Sequence, residues 1–199
     1  VSSGGSVRLV RFFREQGIPI TAEATPHHLA LTAEAVLEHG ANARMNPPLR
    51  TEEDRQEILR AVADGTVVAI ATDHAPHTTD DKAGPLAGSA AGIVGLEAAV
   101  PVCLTELVHS GRMDLPDFVA RLTAGPRDLL GLETGTLAEG APADITLLDP
   151  DADVVLDVEA FCSAGRNCPY NGRTCRGRPV AALVAGRPVH SLLPQLPVG

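Results

Sequence analysis

The feature that most constrains this chain is a helix that hands over directly to a buried strand. Residues 67–71 form an unbroken apolar run, Val67-Val68-Ala69-Ile70-Ala71. Its length and β-branched content predict a strand covered on both faces, as in a parallel sheet. The helix before it has legible ends. Thr51 is a good N-cap, and Glu52, Glu53 and Asp54 place negative charge where the helix dipole favours it. Ile58, Leu59 and Val62 supply its buried stripe, and Gly65 ends it. Past the strand the chain turns polar, with Thr72-Asp73-His74-Ala75-Pro76-His77. A carboxylate just past a strand's C-terminal end is where a parallel barrel carries its catalysis.

The flanking segments extend the same alternation. Residues 6–16 read as a helix closed by Gly17 and blocked by Pro19, and 18–24 as a short strand stopped by Thr25-Pro26. A short helix is expected over 33–39, and a long loop rich in Gly, Ala, Pro and Asp over 76–95, the kind that is usually functional or mobile. Helices are expected over 96–110, 115–122 and 126–130. From Gly135 the texture becomes β-rich, with short strands expected over 135–137, 144–149, 153–158 and 180–189. The expected organisation is therefore 1–134 as the helix–strand part, 135–190 as a β-rich segment, and 191–199 as a tail.

Composition narrows the function classes. Sixteen basic against twenty-five acidic residues give a net charge of −9, which argues against a nucleic-acid surface. No apolar run reaches the length of a membrane span, and the start, Val1-Ser2-Ser3-Gly4-Gly5-Ser6, has neither part of a signal peptide. The reading is a cytoplasmic protein with free thiols and, in the absence of an initiator Met, a piece of a longer chain. Aromatic residues make up only 3%, so the core must be built mainly from Ala, Val, Leu and Ile.

Four clusters could carry chemistry. In the first, Asp73 can bind a divalent metal and take a proton from water, with His77 four residues on to hold an anionic group; the alternative is a turn-capping Asp beside surface histidines. In the second, Thr25-Pro26-His27-His28, adjacent rings on an extended chain diverge, so a strand-end turn with one His packed and one exposed is expected. In the third, Arg44-Met45-Asn46-Pro47-Pro48-Leu49-Arg50, the Asn46 amide offers donor and acceptor to an amide-containing ring, or the segment is simply a rigid lead-in to the Thr51 helix. The fourth, Cys162, Cys168 and Cys175, fits no zinc spacing, and Cys103 reads as core.

These residues also carry a family resemblance. Ile20-Thr21-Ala22-Glu23-Ala24-Thr25-Pro26-His27-His28-Leu29, the run from Met45 through Arg55, the run from Ala71 through Thr78, and Gly92-Ile93-Val94-Gly95-Leu96-Glu97 are together similar to the dihydroorotases of the bacterial class I type, in order and in spacing. The segment around Gly140 and Ala143-Asp144 resembles the C-terminal strands of the wider amidohydrolase superfamily. The resemblance covers nearly all of residues 1–190.

The resemblance implies an α/β fold, the C-terminal part of a (β/α)8 TIM barrel of the metal-dependent amidohydrolase type plus a small β-sandwich segment. It implies a hydrolase of cyclic amides that interconverts N-carbamoyl-L-aspartate and L-dihydroorotate in pyrimidine biosynthesis with one or two zinc ions. Asp73 would be the catalytic and metal-side carboxylate, passing a proton between the attacking metal-activated water and the ring nitrogen. Asn46, His77 and the backbone of Ala91 and Gly92 would bind substrate.

Two departures stand out. The family commonly has Phe where Ala91 stands, which makes the loop over 82–91 smaller. Its other metal ligands lie upstream, the last of them immediately before Val1, so residues 1–199 are expected to be inactive alone. The alternatives are another cyclic amidohydrolase (hydantoinase, dihydropyrimidinase or allantoinase) and a non-catalytic dihydroorotase-like partner of aspartate transcarbamoylase. A homodimer is compatible with either enzyme reading. No nucleic-acid or membrane partner is expected.

Overall fold

The computed structural model describes residues 1–133 and 135–198; the expected boundary at 134/135 falls on Thr134, outside the described residues. Helix α1, Gly4–Glu15, starts where the Ser3 hydroxyl accepts the Ser6 N–H, and it buries Val7 and Val10. The strand expected over 18–24 shrinks to β1, Glu23–Ala24. Pro19 has no N–H to give a ladder, and Thr25 already caps the next helix, so only the end of the run pairs. Its partner is β2, Ala69–Ile70, parallel, with Glu23 opposite Ala69 and Ala24 opposite Ile70. Bonds from Val68 N–H to the Ala22 carbonyl and from Ala71 N–H to the Ala24 carbonyl extend the pairing on both sides.

Between these strands the chain forms α2 (Pro26–Ala30), α3 (Ala35–His39) with a 3₁₀ turn, and α4 (Glu52–Ala63). Helix α4 begins as its sequence dictates, with the Thr51 hydroxyl accepting the Asp54 N–H at 3.3 Å. Ile58, Leu59, Ala61 and Val62 are buried in one core with Val7, Leu29 and Phe118. Parallel strands need such a crossover, and α4 supplies it.

The expected loop over 76–95 contains a one-turn helix, α5, Thr79–Lys82. Thr78 and Asp81 close a capping box: the Asp81 N–H donates to the Thr78 hydroxyl, and the Thr78 N–H donates back to the Asp81 carboxylate. Beyond it, α6 covers Leu96–Cys103 and then widens into a π turn over Leu104–Val108, where one α-helix is expected over 96–110. The Thr105 hydroxyl donates to the Pro101 carbonyl at 2.8 Å, and the main chain closes instead by the longer-range bond from the His109 N–H to the Leu104 carbonyl. Helices α7, Leu115–Leu122, and α8, Ala124–Leu130, agree with expectation apart from the first residues of α8.

The remainder is an antiparallel sheet in the order β3-β4-β5. The two strands expected at 144–149 and 153–158 are one, β3, Ile145–Val155, whose register shifts between Asp149 and Asp153. The single strand expected over 180–189 is instead parts of two, β4 (Thr174–Val184) and β5 (Arg187–Ser191). They are joined by Ala185 and Gly186, both left-handed, at φ 48° and 77°. Two left-handed residues are what a type I′ hairpin turn requires. Residues 135–137 form no strand. This sheet is docked, not tethered. Tyr170, Cys168 and Cys175 share a second core with Met45, Ile93 and Val102. At Gly177, with φ 91°, a Cβ would lie 2.8 Å from the Pro150 carbonyl oxygen and 2.5 Å from Leu104 Cδ1, so a side chain there would push β4 off both β3 and the π turn. Among the described residues no helix is long and apolar enough to cross a membrane.

Candidate active site

The site is built at the C-terminal end of β2. Asp73 sits three residues past the strand with φ 48°, left-handed backbone that is uncommon for a residue other than glycine. Its side chain is about half exposed, 49%, at the strand's mouth. Aspartate is one of the few non-glycine residues that adopt left-handed backbone readily, and the turn it makes carries the chain off the strand end. The next residue, His74, pins the exit of the chain. Its Nδ1 accepts the N–H groups of Gly95 and Leu96 at 3.2 and 3.1 Å, which caps α6 and fixes Nδ1 as an acceptor.

The His27-His28 pair departs from its expectation. Both rings are buried. Thr25 and Pro26 start a helix, with the Thr25 hydroxyl as cap and proline in the first turn, so the chain never has a strand's alternation there. His28 ties α2 to the neighbouring loop: its Nε2 donates to the Pro47 carbonyl at 3.0 Å, and its Nδ1 lies 2.7 Å from the Thr25 hydroxyl. That bond holds the segment carrying Asn46.

Among the described residues, neither ring nitrogen of His27 has a hydrogen-bond partner. Its Nε2 lies 3.8 Å from Asp73 Oδ2, beyond hydrogen-bonding distance. Burial, reinforced by the neighbouring His28, lowers its pKa to about 3. The ring is therefore neutral at physiological pH, and the contact is not an ion pair. A neutral, unpartnered imidazole beside a half-exposed carboxylate is not legible from the sequence pattern of this segment. The Thr-Pro start of a helix was the available signal.

The five expected site residues fall into two groups. Asp73 and Asn46 line one cavity of about 210 Å³, together with Val1, Thr25 and His28. His77, Ala91 and Gly92 are joined to one another: His77 Nε2 lies 3.0 Å from the Ala91 carbonyl and so donates to it. Asn46 bridges the groups, since it also lines a second cavity of about 770 Å³ with Ala91, Arg44, Met45 and Leu86. Gly92 has φ 124°, and a Cβ there would fall 2.5 Å from the Ala75 Cβ, so no other residue fits.

For a metal, the described residues fit one part of a centre. Asp73 offers a carboxylate with free oxygens, the oxygen donor that a divalent ion takes. Among the described residues no three His, Cys, Asp or Glu side chains come close enough to hold an ion together. The cysteines are free, with Cys103, Cys168 and Cys175 buried. Burial raises the Cys168 thiol to about 11, the behaviour of a packed, unreactive cysteine.

A β–α–β unit of parallel strands with a half-exposed carboxylate at its mouth is the arrangement that an α/β barrel repeats. The chain matches the model of the Amidohydrolase family over residues 2–189, and it belongs to that family. Members of the family are generally metal-dependent. Among curated proteins, it is 46% identical over 189 residues to the dihydroorotase of Pelotomaculum thermopropionicum, covering 95% of this chain and 44% of that protein. It is 45% identical over 187 residues to the dihydroorotase of Bacillus cytotoxicus, covering 94% and 44%. Among solved structures it superposes on the L-hydantoinase (dihydropyrimidinase) of Arthrobacter aurescens with a TM-score of 0.90 at 28% identity, covering 96% of this chain and 44% of that one. The dihydropyrimidinase of Brevibacillus agri gives 0.89 at 25%, covering 96% and 43%. The fold is thus part of the TIM barrel of these cyclic-amide hydrolases, as the sequence implies. The chain spans about 44% of the length of the curated relatives it matches.

Proposed function

We propose that this chain belongs to a dihydroorotase, interconverting N-carbamoyl-L-aspartate and L-dihydroorotate in pyrimidine biosynthesis with one or two zinc ions. The observation that carries the reading is the contrast in identity: 45–46% to dihydroorotases over nearly the whole chain, against 28% to the hydantoinase structure of the same fold.

Asp73 would hold the metal from one side. Zinc, when bound, polarises the ring amide and makes water a competent nucleophile at neutral pH. In ring opening Asp73 takes the proton of the attacking water and delivers it to the leaving ring nitrogen; in ring closure the same proton travels back. Asn46 meets the ring amide with both donor and acceptor. His77 and the Ala91–Gly92 backbone hold the rest of the substrate. Residues 1–134 form the barrel part in this reading, and 135–190 the small β domain.

A substrate panel with the full-length, zinc-loaded protein tests it. Ring closure of carbamoyl aspartate, and no turnover of 5-substituted hydantoins or dihydrouracil, is expected. The opposite pattern would favour a hydantoinase-type enzyme, the second reading, which the fold superposition supports. A cytoplasmic location, a homodimer and an association with aspartate transcarbamoylase are compatible with the proposal. Cell fractionation reads the first, and sedimentation of the protein alone and mixed with that enzyme reads the other two.

A further inference from the structure

The loop that carries Ala91 and Gly92 is held by two side chains that have no part in the proposed proton transfer or substrate contacts. The first is Lys82, at the end of α5. An ammonium group has three N–H donors. All three are used, on the carbonyls of Ala41 at 3.0 Å, Ala90 at 2.9 Å and Gly92 at 2.5 Å. The second is Asn167, from the segment between β3 and β4, which is buried. Its Oδ1 accepts the His77 N–H at 2.9 Å, and its Nδ2 donates to the carbonyls of Ala75 at 3.0 Å and Gly92 at 3.1 Å. The Gly92 carbonyl is thus the shared acceptor of two donors that come from elements 85 residues apart in sequence, Lys82 and Asn167.

The other backbone groups of the dipeptide are tied as well, with one exception. The Gly92 N–H donates to the Arg44 carbonyl at 2.8 Å, and the Ala91 carbonyl accepts from His77. Among the described residues, the Ala91 N–H is the one group of this dipeptide left without a partner. A donor without a protein partner, in a backbone whose other polar groups are all tied, is set up to meet a ligand acceptor.

We infer that Lys82 and Asn167 are positioning residues that together clamp the Gly92 carbonyl and so fix the Ala91 N–H for substrate. The inference rests on the dihydroorotase reading for the identity of the substrate, but not for the clamp itself. Neither side chain touches the reacting atoms. Their loss should therefore weaken binding and leave the chemical step alone. Because they share one acceptor, their effects should not multiply.

The test uses the full-length, zinc-loaded protein with Lys82→Met, which keeps the aliphatic stem and removes the donors, and Asn167→Asp, which keeps the acceptor for His77 and removes the donors to Ala75 and Gly92. Each should raise KM for dihydroorotate about tenfold or more with kcat within about twofold of wild type, the size expected when a buried backbone carbonyl loses a hydrogen-bond donor. The double variant should raise it by less than the product of the singles. A KM unchanged in both variants, or effects that multiply, overturns the proposal. If the wild type does not turn over dihydroorotate, the functional reading fails and the clamp is read by amide hydrogen exchange alone. Faster exchange at Gly92 and Ala90 in Lys82→Met, with α1 and α4 unchanged, supports it. Unchanged exchange at those two amides overturns it.

Discussion

At the scale of single residues, the site depends on backbone positions as much as on reactive groups. Gly92 is the plainest case. Adding a methyl group there places it 2.5 Å from the Ala75 Cβ, on a backbone whose φ of 124° L residues rarely adopt. Gly92→Ala should cost about 1–3 kcal/mol of stability or shift the loop and raise KM, and thermal melts beside substrate titration will read which. Asp73 was legible in the sequence because it comes after a buried apolar run, and position relative to a strand end is written locally. Asn46 and His77 were candidates on their chemistry and gained a role through the resemblance, Ala91 and Gly92 came from the resemblance alone, and the structure brings His77, Ala91 and Gly92 into direct contact. Lys82 and Asn167 had no readable signal. A lysine at the end of a polar turn and an asparagine before Cys168-Pro169 look like surface and turn residues until the fold puts both on one carbonyl.

At the scale of elements, boundaries obeyed local chemistry where caps were present and failed where pairing decided. The Thr51 cap and the Gly65 stop framed α4 correctly. The strand over 18–24 shortened to Glu23–Ala24 because Pro19 and the Thr25 cap limit it at its ends and because how far its partner reaches is not written in the run itself. The join of β3 across Asp149 to Asp153 was hidden for the same reason: a register shift carries one strand past a Pro-Asp pair that reads as a turn. Helix α4 also sets a pH dependence. Its hydrogen bond from Arg55 lowers the Glu52 pKa from 4.5 to about 2, and Arg60 and Arg11 lower that of Glu57. A carboxylate with a depressed folded pKa contributes stability above its ordinary pKa and loses it as pH falls through the folded value. Melting temperature should therefore drop as pH is lowered from 4.5 towards 2, with a shallower slope in a Glu52→Gln/Glu57→Gln double variant than in wild type. Equal slopes would show that these pairs are not the source. At the N-terminus of α5, Thr78→Ala removes the capping box and should cost about 1 kcal/mol, visible as a lower denaturation midpoint.

At the scale of the whole molecule, two cores do different work. One packs α1, α4 and α7 around the β1–β2 pair; the other glues the antiparallel sheet onto α6. The class of fold was legible because helix and strand alternate in sequence before residue 135 and cease to do so after it. The docking was not, since Tyr170 and Cys175 meet Ile93 and Val102 across long stretches of chain. A two-stranded parallel pair leaves strand edges open, and Phe12, Leu130 and Leu137 are exposed. Residues 1–199 alone should accordingly self-associate on size exclusion and show no zinc-dependent turnover; a monomeric, active segment would contradict that.

The central claim is that Asp73 carries the proton in a dihydroorotase reaction. The direct measurement is the steady-state rate of carbamoyl aspartate ring closure by full-length protein, wild type against Asp73→Asn, with zinc content recorded for both. Asparagine tolerates the left-handed backbone at φ 48°, so the variant isolates the carboxylate. A fall in kcat on the order of 10²–10⁴ is predicted, the range of general acid–base catalysis. Wild-type closure with an Asp73→Asn rate within about threefold of it would lie below any acid–base contribution and contradict the account.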